Sequence, residues 1–242
     1  MSPDADILSA QDIRPCALLV AGYTKTLASI GNDSWLTGVE SRRSDRFLRN
    51  SDRDDYVTAH LLIRVVTSLF TGLAPCDVRV VQHCHICGSD GHGRPSVEET
   101  LGVCVSLSHT PGYVAAVAGP CDVAVDVQAV SELDIGDLER DVLTSSEQEL
   151  MREAPDPIGA LGRMWTRKEA LIKLGVISLD SLTLVDVAGN LDASRTNMYG
   201  LVVDGWSTAG GDVVGTCMSR VGAIRLSPLE LADSGNTAIA RS

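Results

Sequence analysis

In Gly119-Pro120-Cys121-Asp122-Val123-Ala124-Val125-Asp126-Val127-Gln128, a Gly-Pro break is followed at once by an apolar run with one carboxylate inside it. The break separates two stretches that follow a comparable order. Upstream, Ala17-Leu18-Leu19-Val20-Ala21 reads as a first strand. Residues 52–70 follow as a helix, because Val57, Leu61, Ile63, Val65, Val66, Leu69 and Phe70 recur near helical spacing. Ser51 or Asp52 is placed to cap that helix, and Gly72 and Pro75 to end it. Residues 78–81 read as a strand, 87–95 as a turn-rich segment, and 103–108 and 113–118 as two strands joined around Pro111-Gly112. Downstream, residues 123–127 form a strand, and helical segments follow near 134–153 and 157–174, the second ended by Gly175. Short strands are expected around 182–187, 199–206, 212–218 and 222–226, with a polar tail from about Ser227. The simplest account is an α+β fold of two similar halves, 1–119 and 120–242, side by side with a cleft between them. The likeness of the halves is one of architecture, without a repeat of fixed period.

The composition narrows the function classes. A 44% hydrophobic chain of 242 residues can bury a core, and with only two Phe, four Tyr and three Trp that core is aliphatic. The acidic start, Met1-Ser2-Pro3-Asp4-Ala5-Asp6, does not read as a signal peptide, and no apolar run approaches the ~20 residues of a membrane span. Seven cysteines, an odd number, read as reduced thiols, so a cytoplasmic protein is expected. A net charge of −12 argues against nucleic-acid binding. Against that background Arg42, Arg43, Arg46, Arg49 and Arg53 stand out as a local basic cluster. Such a cluster can hold a small polyanion, or form a solvated face balanced by Asp45, Asp52, Asp54 and Asp55.

Asp126 is the least ordinary residue of the chain. A carboxylate in so apolar a strand costs several kcal/mol unless it is paired or bound to metal. Alternation puts Asp126 and Gln128 on one face and Val125 and Val127 on the other. On the helix near 157–174, Trp165, Glu169 and Lys173 are spaced i, i+4, i+8 and share a face, with Lys168 and Ile172 alongside. An Asp at the end of a buried strand opposite a helical Glu suits Mg²⁺, which takes one or two protein carboxylates and completes its shell with phosphate oxygens and water. A turn-capping Asp and an ordinary surface ion pair account for the same residues equally well.

Together these segments resemble the paired signature of Sfp-type 4′-phosphopantetheinyl transferases, in their Trp/Lys-Glu-Ala branch. The matching residues are Asp126-Val127-Gln128 and, some forty positions later, Trp165-x-x-Lys168-Glu169-Ala170-x-x-Lys173. Ser106-Leu107-Ser108-His109-Thr110, Gly93-Arg94-Pro95 and the Arg-rich approach to Leu61-Leu62-Ile63-Arg64 match in the family's order, so that the resemblance spans roughly 46–175. It implies two halves related by pseudo-twofold symmetry, with coenzyme A in the cleft. It also implies transfer of the 4′-phosphopantetheine arm to a serine of an acyl, polyketide or peptidyl carrier protein, with release of 3′,5′-ADP. On this resemblance Asp126 and Glu169 would hold Mg²⁺, Glu169 would take the serine proton, and Lys173 would neutralise the leaving phosphate. His109, with Arg49 or Arg53, would hold the 3′-phosphate, while the turn His92-Gly93-Arg94 and Ser108 would line the nucleotide pocket. Two fused halves would make the cleft within a monomer.

One departure bears on the metal. The family's acidic strand usually reads Asp-x-Glu, and here the second position is Gln128, which offers a carbonyl oxygen without charge. Weaker Mg²⁺ binding than in an Asp-x-Glu relative is expected. Two rival readings follow from other residues. Cys84 and Cys87 have C-x₂-C spacing with His83, His85 and His92 nearby, which invites a non-catalytic zinc-ribbon-like binding module. A degenerate relative that binds coenzyme A without turnover is the other, with Gln128 as its cause.

Overall fold

The structure is a computed structural model and describes residues 16–83, 88, 93–98 and 102–227. The elements are, in order, β1 (Ala17–Tyr23), α1 (Thr24–Leu27), α2 (Gly38–Ser44), α3 (Asn50–Thr71), β2 (Val80–Gln82), β3 (Pro95–Val97), β4 (Cys104–Thr110) and β5 (Tyr113–Gly119). Then come β6 (Val123–Ala129), α4 (Ile135–Val142), α5 (Ser145–Glu153), α6 (Pro157–Lys173), β7 (Arg195–Met198), β8 (Leu201–Ser207), β9 (Val213–Ser219) and β10 (Ala223–Leu226). The fold is of the α+β class. No helix among the described residues is long and apolar enough to cross a membrane.

Two four-stranded sheets dominate, ordered β10-β1-β5-β4 and β6-β9-β8-β7, beside a small β2-β3 pair. Period-two alternation explains how they stack. Ala17, Leu19 and Ala21 of β1, Ala115 and Val117 of β5, Val123, Val125 and Val127 of β6, and Cys217 of β9 form one buried cluster between the sheets. The opposite face of the first sheet, with Leu18, Val20, Val114 and Ala116, packs on Ala59, Leu62, Ile63 and Val66 of α3. The second sheet offers Ala124, Val203 and Met218 to Leu161, Met164 and Leu171 of α6. The layers therefore run helix, sheet, sheet, helix. Each fully buried Leu or Val is worth about 1.5–3 kcal/mol of hydrophobic stabilisation. Small residues let the sheets approach. A methyl on Gly119 would sit 2.9 Å from the Ala17 Cβ and 2.8 Å from Val123 Cγ1.

The sheets are joined by side chains. Ser106, Ser108 and Thr110, alternate residues of β4, accept from the backbone N–H groups of Val125, Val127 and Ala129 in β6, at 3.2, 3.3 and 2.9 Å. The chain also crosses over at its end, where β10 pairs in parallel with β1, Ala17 opposite Ala223. The last strand thus completes the first sheet.

Several elements differ from expectation. Helix α3 begins at Asn50 with Arg49 at its N-cap and no side-chain cap, so Ser51 and Asp52 lie inside its first turn. The helical segment expected over 134–153 is two helices, because Thr144 and Glu147 form a capping box that restarts the chain. The strand expected at 182–187 is replaced by a 3₁₀ turn at Leu179–Leu184, whose Leu182 carbonyl accepts from Lys168. Lys168 itself, expected beside Glu169 on the helix face, is fully buried and paired with Glu147 at 2.6 Å.

Candidate functional site

Helix α6 is held above the second sheet by a hydroxyl pair, Thr166 Oγ1 to Thr216 Oγ1 at 2.9 Å, and Thr216 stands opposite Asp126 in the β6–β9 register. Its C-terminus is fixed by Gly175 in the left-handed region (φ 71°), with Gly175 N–H bonded to Ile172 O and Val176 N–H to Leu171 O. That double closure is a Schellman motif, and it stops the helix one residue after Lys173 packs down on β6.

The Lys173 Nζ donates to Asp126 Oδ1 at 2.7 Å and to Val125 O at 2.8 Å. The Ser108 Oγ donates to the same Asp126 Oδ1 at 2.9 Å. Asp126 is only 6% exposed. Its Oδ2 has no hydrogen-bond partner among the described residues. Glu169, half-buried one turn before Lys173, completes the group: burial raises its carboxyl pKa, Asp126 raises it further, and Lys173 pulls it back. Asp126, Glu169 and Lys173 are thus brought together, as are Ser108 and Asp126. Gln128 turns its amide to the Ala129 carbonyl at 3.1 Å. Among the described residues no set of three or more His, Cys, Asp or Glu gathers as a metal site.

Beside this group lies His109. Its ring keeps an exposed face yet is crowded enough that desolvation lowers its pKa, with Asp55 opposing and His60, Lys173 and Arg43 adding to the effect. Tyr56 stands edge-on to it at 6.4 Å, and the Arg43 guanidinium lies over the Tyr56 ring at 5.6 Å. Arg43 is the arginine near His109. Arg53 instead lies 3.8 Å from Asp33, and Arg49 is an exposed N-cap. Sequence reasoning included Arg43 in the basic cluster but could not single it out, because the packing of α2 on α3 decides which arginine lies over Tyr56.

Helix α2, which carries Arg43, is anchored by a buried triad. Glu40 accepts from Arg64 at 2.6 and 3.1 Å, shares a hydrogen bond with His60 Nδ1 at 2.7 Å, and caps Thr37 N–H. Burial alone would raise Glu40, but the bonds from His60 and Arg64 hold it down at about 2. Tyr56, desolvated and next to Glu40, is raised to about 12.

Ser108, expected to line a nucleotide pocket, is buried, and its hydroxyl is committed to Asp126 and Val127 N–H. Arg94 pairs with Asp122 at 3.1 Å and lines a cavity of about 310 Å³ with His83, Pro95 and Cys104. Gly93 presents its carbonyl to Gln82 at 3.1 Å. A second cavity, of about 350 Å³, is lined by Val39, Glu40, Tyr56 and His83. His92, Cys84 and Cys87 lie outside the described residues.

No protein-family model and no curated protein matches the chain.

Proposed function

We propose that this chain is a Mg²⁺-dependent 4′-phosphopantetheinyl transferase that moves the phosphopantetheine arm of coenzyme A onto a serine of an acyl, polyketide or peptidyl carrier protein. The observation that supports it most is the gathering of Asp126, Glu169, Lys173 and His109, from β6, α6 and β4, where the edge strands of the two sheets meet beside α6. The two helix-backed sheets support reading the chain as two halves related by pseudo-twofold symmetry, with coenzyme A in the cleft between them.

The donor set fits Mg²⁺. Asp126 and Glu169 are hard oxygen donors, Asp126 Oδ2 has no hydrogen-bond partner among the described residues, and the Glu169 pKa is raised first by burial and then by the nearby Asp126. Bound there, the ion would neutralise charge on the pyrophosphate. The chain's own residues supply the rest. Glu169 accepts the proton of the attacking serine. The serine oxygen bonds to the phosphorus that carries the pantetheine arm, and the bond to the 3′,5′-ADP oxygen breaks. Lys173, held beside Asp126, offers its ammonium to the charge that grows on the leaving phosphate. His109 and Arg43 take the 3′-phosphate.

The retained Glu169 and Lys173 favour transfer over binding without turnover. The test is release of 3′,5′-ADP from coenzyme A, dependent on both Mg²⁺ and an apo carrier protein. Release without the carrier, or none with it, would count against the reading. On this reading the enzyme works as a cytoplasmic monomer.

A further inference from the structure

We infer that the corner between α2 and α3 is the surface that receives the partner protein, and that it fits an acidic partner with an apolar contact point. This rests on the proposed transfer reaction, which requires a protein substrate. Within 42–49 the chain carries Arg42, Arg43, Arg46 and Arg49 against one acid, Asp45, although the whole chain has a net charge of −12. Among them in sequence stands Leu48, fully exposed at 101%, and all four arginines are exposed as well. An exposed apolar side chain within a basic segment has the make-up of an interface anchor with a charged rim.

The corner is also rigid, so Leu48 is presented and does not merely fray. Phe47, next to Leu48, packs on Tyr56 with ring centres 5.3 Å apart. Ser44 is buried, with its hydroxyl on Ser41 O at 2.9 Å. The Glu40 triad ties α2 to α3 from below. A pre-ordered contact loses little entropy on binding.

Position and charge both favour this face. Ring contacts run from Phe47 to Tyr56 to His109, which adjoins Lys173, so the corner borders the reacting group. In the segment that follows Lys173 in sequence, Val176, Leu179 and Leu184 are exposed apolar side chains, and they are accompanied by Asp180 and Asp186. An acidic partner is repelled there and attracted at the arginine corner.

The experiment compares the wild-type chain with Leu48→Asp and Arg46→Glu, measuring the KM for an apo carrier protein and, separately, calorimetric binding of coenzyme A. Both side chains are exposed, and circular dichroism with thermal melting checks that each variant is folded. The KM for the carrier is expected to rise at least about tenfold in each variant, with coenzyme A binding unchanged. The wild-type KM is expected to rise with salt, and that dependence to weaken in Arg46→Glu. A carrier KM unchanged in both folded variants overturns the docking surface and leaves the transferase reading intact. A wild-type chain that transfers to no carrier removes that reading and the docking surface with it.

Discussion

Ser108 and Asp126 belong to different sheets, and the hydroxyl of one lies 2.9 Å from Oδ1 of the other. The same hydroxyl accepts from Val127 N–H, so a single oxygen closes the seam between the sheets and orients the carboxylate. Replacing Ser108 with Ala leaves a buried N–H unpaired, at a cost of about 1–3 kcal/mol. Denaturant unfolding of Ser108→Ala should show that loss, and Mg²⁺ titration of its activity should show a higher half-saturating concentration.

The Glu40 triad sets a pH dependence. Its carboxyl falls from an ordinary 4.5 to about 2 in the folded chain, so it contributes stability above 4.5 that is lost as pH falls from there toward 2. The size is about 3 kcal/mol at neutral pH. In Glu40→Gln, which leaves Arg64 buried without its counter-charge, a loss of about 3–5 kcal/mol is expected at pH 7. Unfolding at pH 7 and pH 3 measures both, and the difference between variant and wild type should shrink at the lower pH.

Lys168 and Glu147 are both fully buried. Lys168 also donates to the carbonyls of Val142 and Leu182, and Glu147 accepts from Val187 N–H, which ties α6 to three neighbouring segments. Lys168→Met alone is expected to cost about 3–5 kcal/mol, because it strands a buried carboxylate. Chemical denaturation is the measurement. A loss below about 1 kcal/mol would mean that the pair does not hold the helix.

Much of this arrangement could be read from the residues alone. The alternation around Asp126, the i, i+4 spacing of Glu169 and Lys173, and the glycine stop at 175 are local patterns, and each sets its own geometry. Lys168 was misread because its helix position borders the Glu169 face, while its partner Glu147 is 21 residues away. The Ser-x-Ser-x-Thr seam was equally hidden, since alternating hydroxyls in a strand look the same whether they face water or another strand. The return of β10 to the first sheet and the placement of Arg43 over Tyr56 depend on long-range packing. No local pattern records them.

Gln128 is the place where metal affinity should be adjustable. It stands two residues beyond Asp126 on the same face, and its amide is now spent on its own strand end. Gln128→Glu would add a third carboxylate, so the Mg²⁺ concentration for half-maximal rate should fall. An unaltered Mg²⁺ requirement would mean that the position does not meet the ion.

The central claim is that Asp126, Glu169 and Lys173 form a transfer site, and weighing the product tests it most directly. The chain is mixed with coenzyme A, Mg²⁺ and an apo carrier protein, and the carrier is then examined by mass spectrometry. A gain of one phosphopantetheine is expected with the wild-type chain and none with Glu169→Gln. No gain with several carriers, or an equal gain with Glu169→Gln, would contradict it.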